Sequence, residues 1–372
     1  MEVVENTLHG QSTFPLLGDL GNYQGSTWNL AQDGEEEKRG YWIDLFRDHF
    51  PSLKEQSLRE AAEAGRKMKE HEGKLEKAEG EFMQYLEELR EKVGGMDYYG
   101  VLDICLQREQ VLRDCGVPDP YRLAKKEQTA SALEVLPALL EELDSLDEEA
   151  CVAEVIKGVF AGNIFDMGAI KTSNMFADGG SVCFHETKGK LKDRPWLVDD
   201  FDAWATRMME GDEHKAALVF VDNAGPDITL GMIPFCRFLV QRGTKVIVAA
   251  NESWSLNDVT VEELEDLIDQ ICDFDDVICE AVEEGMLQVV GSGNVAPLID
   301  LTKVSDELVE VAEAEGVDLV VLEGMGRAVE SNYDAKFNCE SLKIAMLKDA
   351  GSADGVGGEV YDLVMRYREA GE

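Results

Sequence analysis

Two short stretches of this 372-residue chain place acids and amides where an apolar run stops. In LVFVDNAGPDITLGM (218–232), the apolar residues Leu218 to Val221 run straight into Asp222 and Asn223. In NESWSLNDVT (251–260), which follows TKVIVAA (244–250), Asn257 and Asp258 stand just ahead of a helical pattern. The two aspartates are 258 − 222 = 36 residues apart, a spacing of one helix plus one strand, so consecutive parallel strands deliver both to the same edge of a sheet. Two carboxylates and an amide carbonyl meeting there suit a hard divalent cation such as Mg²⁺ or Mn²⁺, and the lack of local His or Cys argues against structural zinc. Each acid also has a plainer reading: Asp222 as the end of a strand, Asp258 as the cap of the helix VEELEDLI.

Two glycine-rich segments follow other apolar runs. GSGN, with Gly291 and Ser292, and GMGR, with Gly324, Gly326 and Arg327, would let backbone N–H groups approach a phosphate that Arg327 clamps. GMGRAV is a poor dinucleotide fingerprint, because the third glycine is missing and no further strong strand is evident after it. AGNIFDMGA (161–169) interrupts a helical stretch with Gly162, Asn163 and Asp166, as a turn or a site lining would. Lys343 and Lys348, in ESLKIAMLK, are expected at the surface; pointing inward, either would neutralise a phosphate. A metal beside anion-binding amides and cations is equipment for phosphate-ester hydrolysis, since the ion polarises a phosphoryl oxygen and acidifies a water. An aspartate nucleophile of the D-x-D kind is not supported, as Ala224 occupies the third position.

Two textures of sequence must position these residues. From about Tyr41 to Leu146, apolar residues recur at three and four spacing among charge pairs, so residues 1–150 are expected to form an N-terminal helical subdomain. In residues 151–372, AALVFV (216–221), TKVIVAA (244–250), LQVVG (287–291) and DLVVLEG (318–324) alternate with amphipathic helices. That pattern predicts an α/β fold, a three-layer α/β/α arrangement around a mainly parallel, Rossmann-like sheet. Ligands of such sheets bind beyond the carboxyl ends of the strands, here in a cleft shared with the helical subdomain.

With 76 acids against 35 bases the formal net charge is −41, which disfavours nucleic acid and anionic membranes as partners. Cys105, Cys115, Cys151, Cys183, Cys236, Cys272, Cys279 and Cys339 never form a C-x-x-C pair and read as reduced thiols. MEVVENTLHGQSTF has no leader pattern and no run approaches membrane-spanning length, so the expectation is a soluble, cytoplasmic protein.

VDNAGPDI, AANESWSLNDVT, LEGMGRAVESNYDAKFNCESLK, AGNIFDMGA and RPWLVDDFDAW resemble the metal-dependent damage-control phosphatases, long grouped as a domain of unknown function. The branch is that of the stand-alone plant proteins and the C-terminal phosphatase domain of the fourth vertebrate pantothenate kinase. Similarity runs from YWIDLF at 41 to the C-terminus, with no kinase domain expected ahead of it. The resemblance implies a divalent ion (Mg²⁺, Mn²⁺, Co²⁺ or Ni²⁺) held by Asp222, Asn223 and Asp258, with Asn163 and Lys343 facing the ligand. It implies as substrate a small phosphorylated metabolite: 4′-phosphopantetheine, its oxidised or damaged forms, or a sugar phosphate. Trp254 departs from the branch, which has a proline in that segment, and would reshape the pocket or pack beneath it. A non-catalytic phosphometabolite sensor and a carboxyl methyltransferase are the competing readings.

Overall fold

The computed structural model describes residues 11–164 and 184–372, so Asp166 and Cys183 lie outside the described residues. Seven strands form one sheet: β1 (Val198–Asp199), β2 (Ala216–Phe220), β3 (Lys245–Ala250), β4 (Leu287–Gly291), β5 (Leu319–Glu323), β6 (Glu340–Met346) and β7 (Leu363–Arg368). Their order is β1-β7-β6-β5-β2-β3-β4. All neighbours are parallel except β6 and β7. The four strands expected from apolar runs are all present.

The expectation that no further strong strand follows GMGR is corrected, because β6 and β7 complete the sheet. Lys343 in β6, and Arg366 and Arg368 in β7, interrupt the apolar pattern that marks a covered strand. Lys343 is nevertheless buried. Its Nζ donates to Tyr333 O at 2.9 Å and Ala335 O at 2.6 Å, which replaces the water a surface lysine would have.

Side chains alternate across the strands. Leu218 and Phe220 of β2 join one core cluster, whereas Ala217 and Val219 join the other. The first cluster takes in three N-terminal helices, α1 (Glu36–Glu63), α2 (Met68–Lys92) and α3 (Val101–Asp114). In α2 the buried Leu75, Ala78, Phe82, Leu86 and Leu89 form a single stripe, which gives the helix its one reason to dock. The second cluster holds most of the buried faces of α4 (Arg122–Asp144) and α5 (Glu148–Asn163). The N-terminal helical subdomain is therefore built into both layers, and residue 150 falls inside α5. Among the described residues no helix is long and apolar enough to cross a membrane.

From β2 the chain steps outward to β3 and β4, then returns to place β5 on the other side of β2 and continues to β6 and β7. A crevice opens where the direction reverses, at the carboxyl ends of β2 and β5. Asp222 and Glu323 stand at its rim.

Candidate metal and phosphate site

Glu323 ends β5, and its Oε2 accepts a 2.9 Å hydrogen bond from the backbone N of Asp222, so the two strand tips are tied together. The residue after it has to be glycine. Gly324 has φ +95, and a Cβ there would lie 2.2 Å from Asp222 Oδ2. Beyond Asp222 the chain turns through Asn223, Ala224 and Gly225 into a π-helical segment, Asp227–Met232, of the kind that often marks functional positions. Asp222, Asp227 and Glu323 thereby offer carboxylate oxygens that all lie within 4.8 Å of one another, and all three are buried.

Helix α5 brings Asn163 to this cluster by close packing of small residues. A Cβ on Gly162 would sit 3.0 Å from Asp227 Cα, and one on Gly231 would sit 3.3 Å from Val159 Cα, so glycine on both sides permits the approach. Asn163 Nδ2 then donates to Glu323 Oε1 at 2.7 Å, Asp227 Oδ2 at 3.0 Å and Asp222 Oδ2 at 3.4 Å. Its Oδ1 accepts from Met346 N at the tip of β6. Asn223 Nδ2 donates to Asp227 Oδ2 at 2.8 Å and Asp222 Oδ2 at 3.0 Å.

The second strand tip is stitched to the first by backbone: Val259 N donates to Asp222 O at 3.0 Å and Ala224 N to Asn257 O at 2.9 Å. Asp258 thus reaches the same crevice as Asp222 and Asn223. Arg327 spans the two acids. Its Nη1 pairs with Asp222 Oδ1, and its Nη2 donates to Asp258 Oδ2 at 2.7 Å and Asn251 Oδ1 at 3.0 Å. The residues the sequence singled out separate accordingly. Asp222, Asn223, Asp258, Asn163 and Arg327 converge, and Gly324 and Gly326 shape the place where they meet. Arg327 thus braces the two carboxylates, Asp222 and Asp258.

GSGN is tied into the sheet edge by its backbone. Ser292 N donates to Ala250 O at 2.8 Å, Ser292 O accepts from Ser305 N, and a Cβ on Gly291 would strike Glu252. These contacts fix the shape of the loop. Lys343 stays in the middle of β6 with the Tyr333 and Ala335 carbonyls, whereas Lys348, just beyond the tip of that strand, lines the cleft. Asp227 and Glu323 were not singled out from sequence. The available signal was an acid closing an apolar strand in LVVLE, the same signature that drew attention to Asp222.

Burial and the charges of its neighbours push the Glu323 carboxyl well above the usual carboxylate range, and burial, with Asp222, pushes Asp227 up to about 7. Three carboxylates this close repel one another, and Arg327 and Lys348 offset only part of that charge. The donor set is all oxygen, and the buried Asp227 Oδ1 has no hydrogen-bond partner among the described residues. Both facts fit a hard divalent ion.

A cavity of about 310 Å³ opens onto the Asp222 end of this cluster. One wall carries Asp222, Asn223, Asn257, Asp258 and Lys348; the opposite wall comes from α1 and α3 with Tyr41, Trp42, Leu45, Phe46, Val101 and Arg108. Arg108 is itself buried against Glu109 at 2.7 Å. Trp254 packs outside this cavity, under α3: the Arg113 guanidinium lies 4.8 Å over its ring and donates to its carbonyl at 2.8 Å.

The class of protein is thus an α/β fold whose crevice carries, at the reversal point of the sheet, a buried carboxylate cluster that could hold a metal ion. Residues 45–364 match the damage-control phosphatase ARMT1-like domain, and the chain belongs to that family. It is 36% identical to the damage-control phosphatase At2g17340 of Arabidopsis thaliana over 94% of each chain. It is 38% identical to pantothenate kinase 2 of Arabidopsis thaliana, over 95% of this chain and 41% of that protein. The 4′-phosphopantetheine phosphatase of Mus musculus is 32% identical over 95% of this chain and 48% of its own length. The chain thus spans less than half of those two longer relatives. A DUF89 family protein from Pyrococcus horikoshii has the same fold, with TM-score 0.56 at 17% identity over 87% of this chain and 98% of that one.

Proposed function

We propose that this chain is a metal-dependent phosphomonoesterase of small phosphorylated metabolites, with 4′-phosphopantetheine and its oxidised or damaged forms as the first substrates to consider. The observation that carries this reading is the buried cluster of Asp222, Asp227 and Glu323, whose Asp222 also lines a cavity, in a member of this family. The names of the Arabidopsis and mouse relatives support the activity and the substrate class. Asp222, with Asp227 and Glu323 or with Asn223 and Asp258, would hold the ion. A divalent cation so held supplies Lewis acidity toward a phosphoryl oxygen and lowers the pKa of a water.

The chain's own residues do the rest. Arg327 offsets the charge of Asp222 and Asp258 and fixes their direction, and Asn163 and Asn223 orient the carboxylates by donating to them. Lys348 puts positive charge on the cavity wall where a phosphate would enter. The aromatic and aliphatic side chains of α1 and α3 shelter the remainder of the substrate from water. Seven free cysteines among the described residues suit a reducing compartment, and we read the protein as cytoplasmic.

The test is phosphate release from a panel of 4′-phosphopantetheine, its oxidised forms and sugar phosphates, using chelator-stripped protein with Mg²⁺, Mn²⁺, Co²⁺ or Ni²⁺ restored. Turnover should require metal and should fall at least about a hundredfold in Asp222→Asn. Metal-independent release, or an unchanged rate in that variant, would sink the assignment.

A further inference from the structure

We propose that Asn257 is a substrate-binding residue that receives the phosphoryl group, its Nδ2 donating to a phosphoryl oxygen and its Oδ1 accepting from a hydroxyl on the bound molecule. The inference rests on the phosphatase reading above and assigns a residue to it. Asn257 is 1% exposed and lines the same cavity wall as Asp222, Asn223 and Asp258. Neither its Nδ2 nor its Oδ1 has a hydrogen-bond partner among the described residues.

The neighbouring amides behave differently. Asn163 and Asn223 are spent on the carboxylate cluster. Asn251 donates to Asp258 Oδ2 at 2.9 Å and accepts from Arg327. Asn294 donates to the Ala296 and Leu298 carbonyls. Among the described residues, Asn257 is held by its backbone, through Ala224 N at 2.9 Å. That bond fixes where the side chain starts without using either of its polar atoms.

A buried amide that leaves both halves unpaired weakens the fold, so its placement calls for a partner that arrives from the cavity. Chemistry narrows the partner. An anion entering beside several carboxylates gains from a donor that brings no extra acceptor charge, and Arg327 is already engaged with Asp222 and Asp258. A carboxamide offers two N–H donors to the acceptor-only oxygens of a phosphate ester, with a carbonyl left for a hydroxyl.

The experiment measures binding of inorganic phosphate to the metal-loaded, full-length protein by calorimetry and by the shift in thermal midpoint, in wild type, Asn257→Leu and Asn257→Ala. In Asn257→Leu the midpoint without phosphate should be unchanged or higher, because the unpaired amide is gone. Phosphate affinity and kcat/KM should each fall roughly ten- to hundredfold, the loss of one hydrogen bond to a charged group. If the leucine variant does not fold, the smaller Asn257→Ala decides by the same phosphate titration. Wild-type phosphate affinity in a folded variant, with only the midpoint lowered, would make Asn257 structural and overturn the proposal. A wild type that hydrolyses the panel while its Asn257 variants do so equally would overturn this inference alone. A wild type that neither binds phosphate nor releases it would overturn the phosphatase reading as well.

Discussion

Asp222 answers to several partners at once: Arg327 on one oxygen, two amides on the other, and two further carboxylates close by. Such a cluster holds protons until a cation displaces them. Because Asp227 is pushed up to about 7 and Glu323 lies well above its usual range, metal affinity should weaken as pH falls from 8 to 6, with proton release on binding. Calorimetric metal titrations in buffers of different ionisation enthalpy would check this; equal affinity at both pH values would contradict it. Lys343 makes the opposite kind of statement. Burial, with Arg366 nearby, pushes its ammonium down to about 7 from an ordinary 10.5, and a neutral amine has the two N–H donors that the Tyr333 and Ala335 carbonyls accept. Between those values the unfolded chain binds the extra proton, so this residue makes stability rise with pH from 7 to 10. Urea unfolding across that range should show a flatter profile in Lys343→Met, and parallel profiles would refute the assignment.

The α5 helix and the π-helical turn work as a unit. Gly162 and Gly231 let two backbones meet, and that contact is what carries Asn163 into reach of Asp227 and Glu323. Gly162→Ala would bring a Cβ to 3.0 Å from Asp227 Cα, so the elements must separate. The expected result is about 1–3 kcal/mol of lost stability and a weaker metal site. Gly158→Ala is the control, because its nearest neighbour would be 3.6 Å away and nothing needs to move. Thermal midpoints and metal titrations of the two variants should therefore diverge; equal behaviour would mean that close packing here does not position the site. The same scale accounts for Trp254. A large ring beside the metal loop serves as a shelf for Arg113, joining α3 to the segment that carries Asp258 while leaving the cavity open.

Across the whole molecule, 76 acids and 35 bases create a field that repels the phosphate esters the site is proposed to take. The positive side chains inside the cavity act only at short range, whereas the net charge acts over the Debye length, about 10 Å at 0.1 M salt. For a dianionic substrate, kcat/KM should rise with added salt from low ionic strength, and mainly through faster encounter. A steady fall with salt would instead show that local cations govern approach. The enclosing wall of α1 and α3 belongs to this scale as well, since residues near 41–46 and 101–108 meet the strand tips only after the helical subdomain has docked on the sheet.

Local pattern in the chain was enough to determine four strands, their parallel packing and the convergence of Asp222, Asn223 and Asp258. Each follows from apolar runs, helix-length spacers and the rule that parallel strands end on one edge. The strands β6 and β7 stayed hidden because Lys343, Arg366 and Arg368 break the apolar pattern, and only specific tertiary partners make them tolerable there: carbonyls for Lys343, the Tyr333 ring for Arg366 and Asp200 for Arg368. The role of Arg327 was legible as a cation near the site but not as a brace, since its partners lie 105 and 69 residues away. Glu323 and Asn163 are 160 residues apart and meet at 2.7 Å. Such a pairing is decided by how α5 packs against the π-helical turn and where the sheet reverses its strand order, and no local propensity in the sequence encodes either.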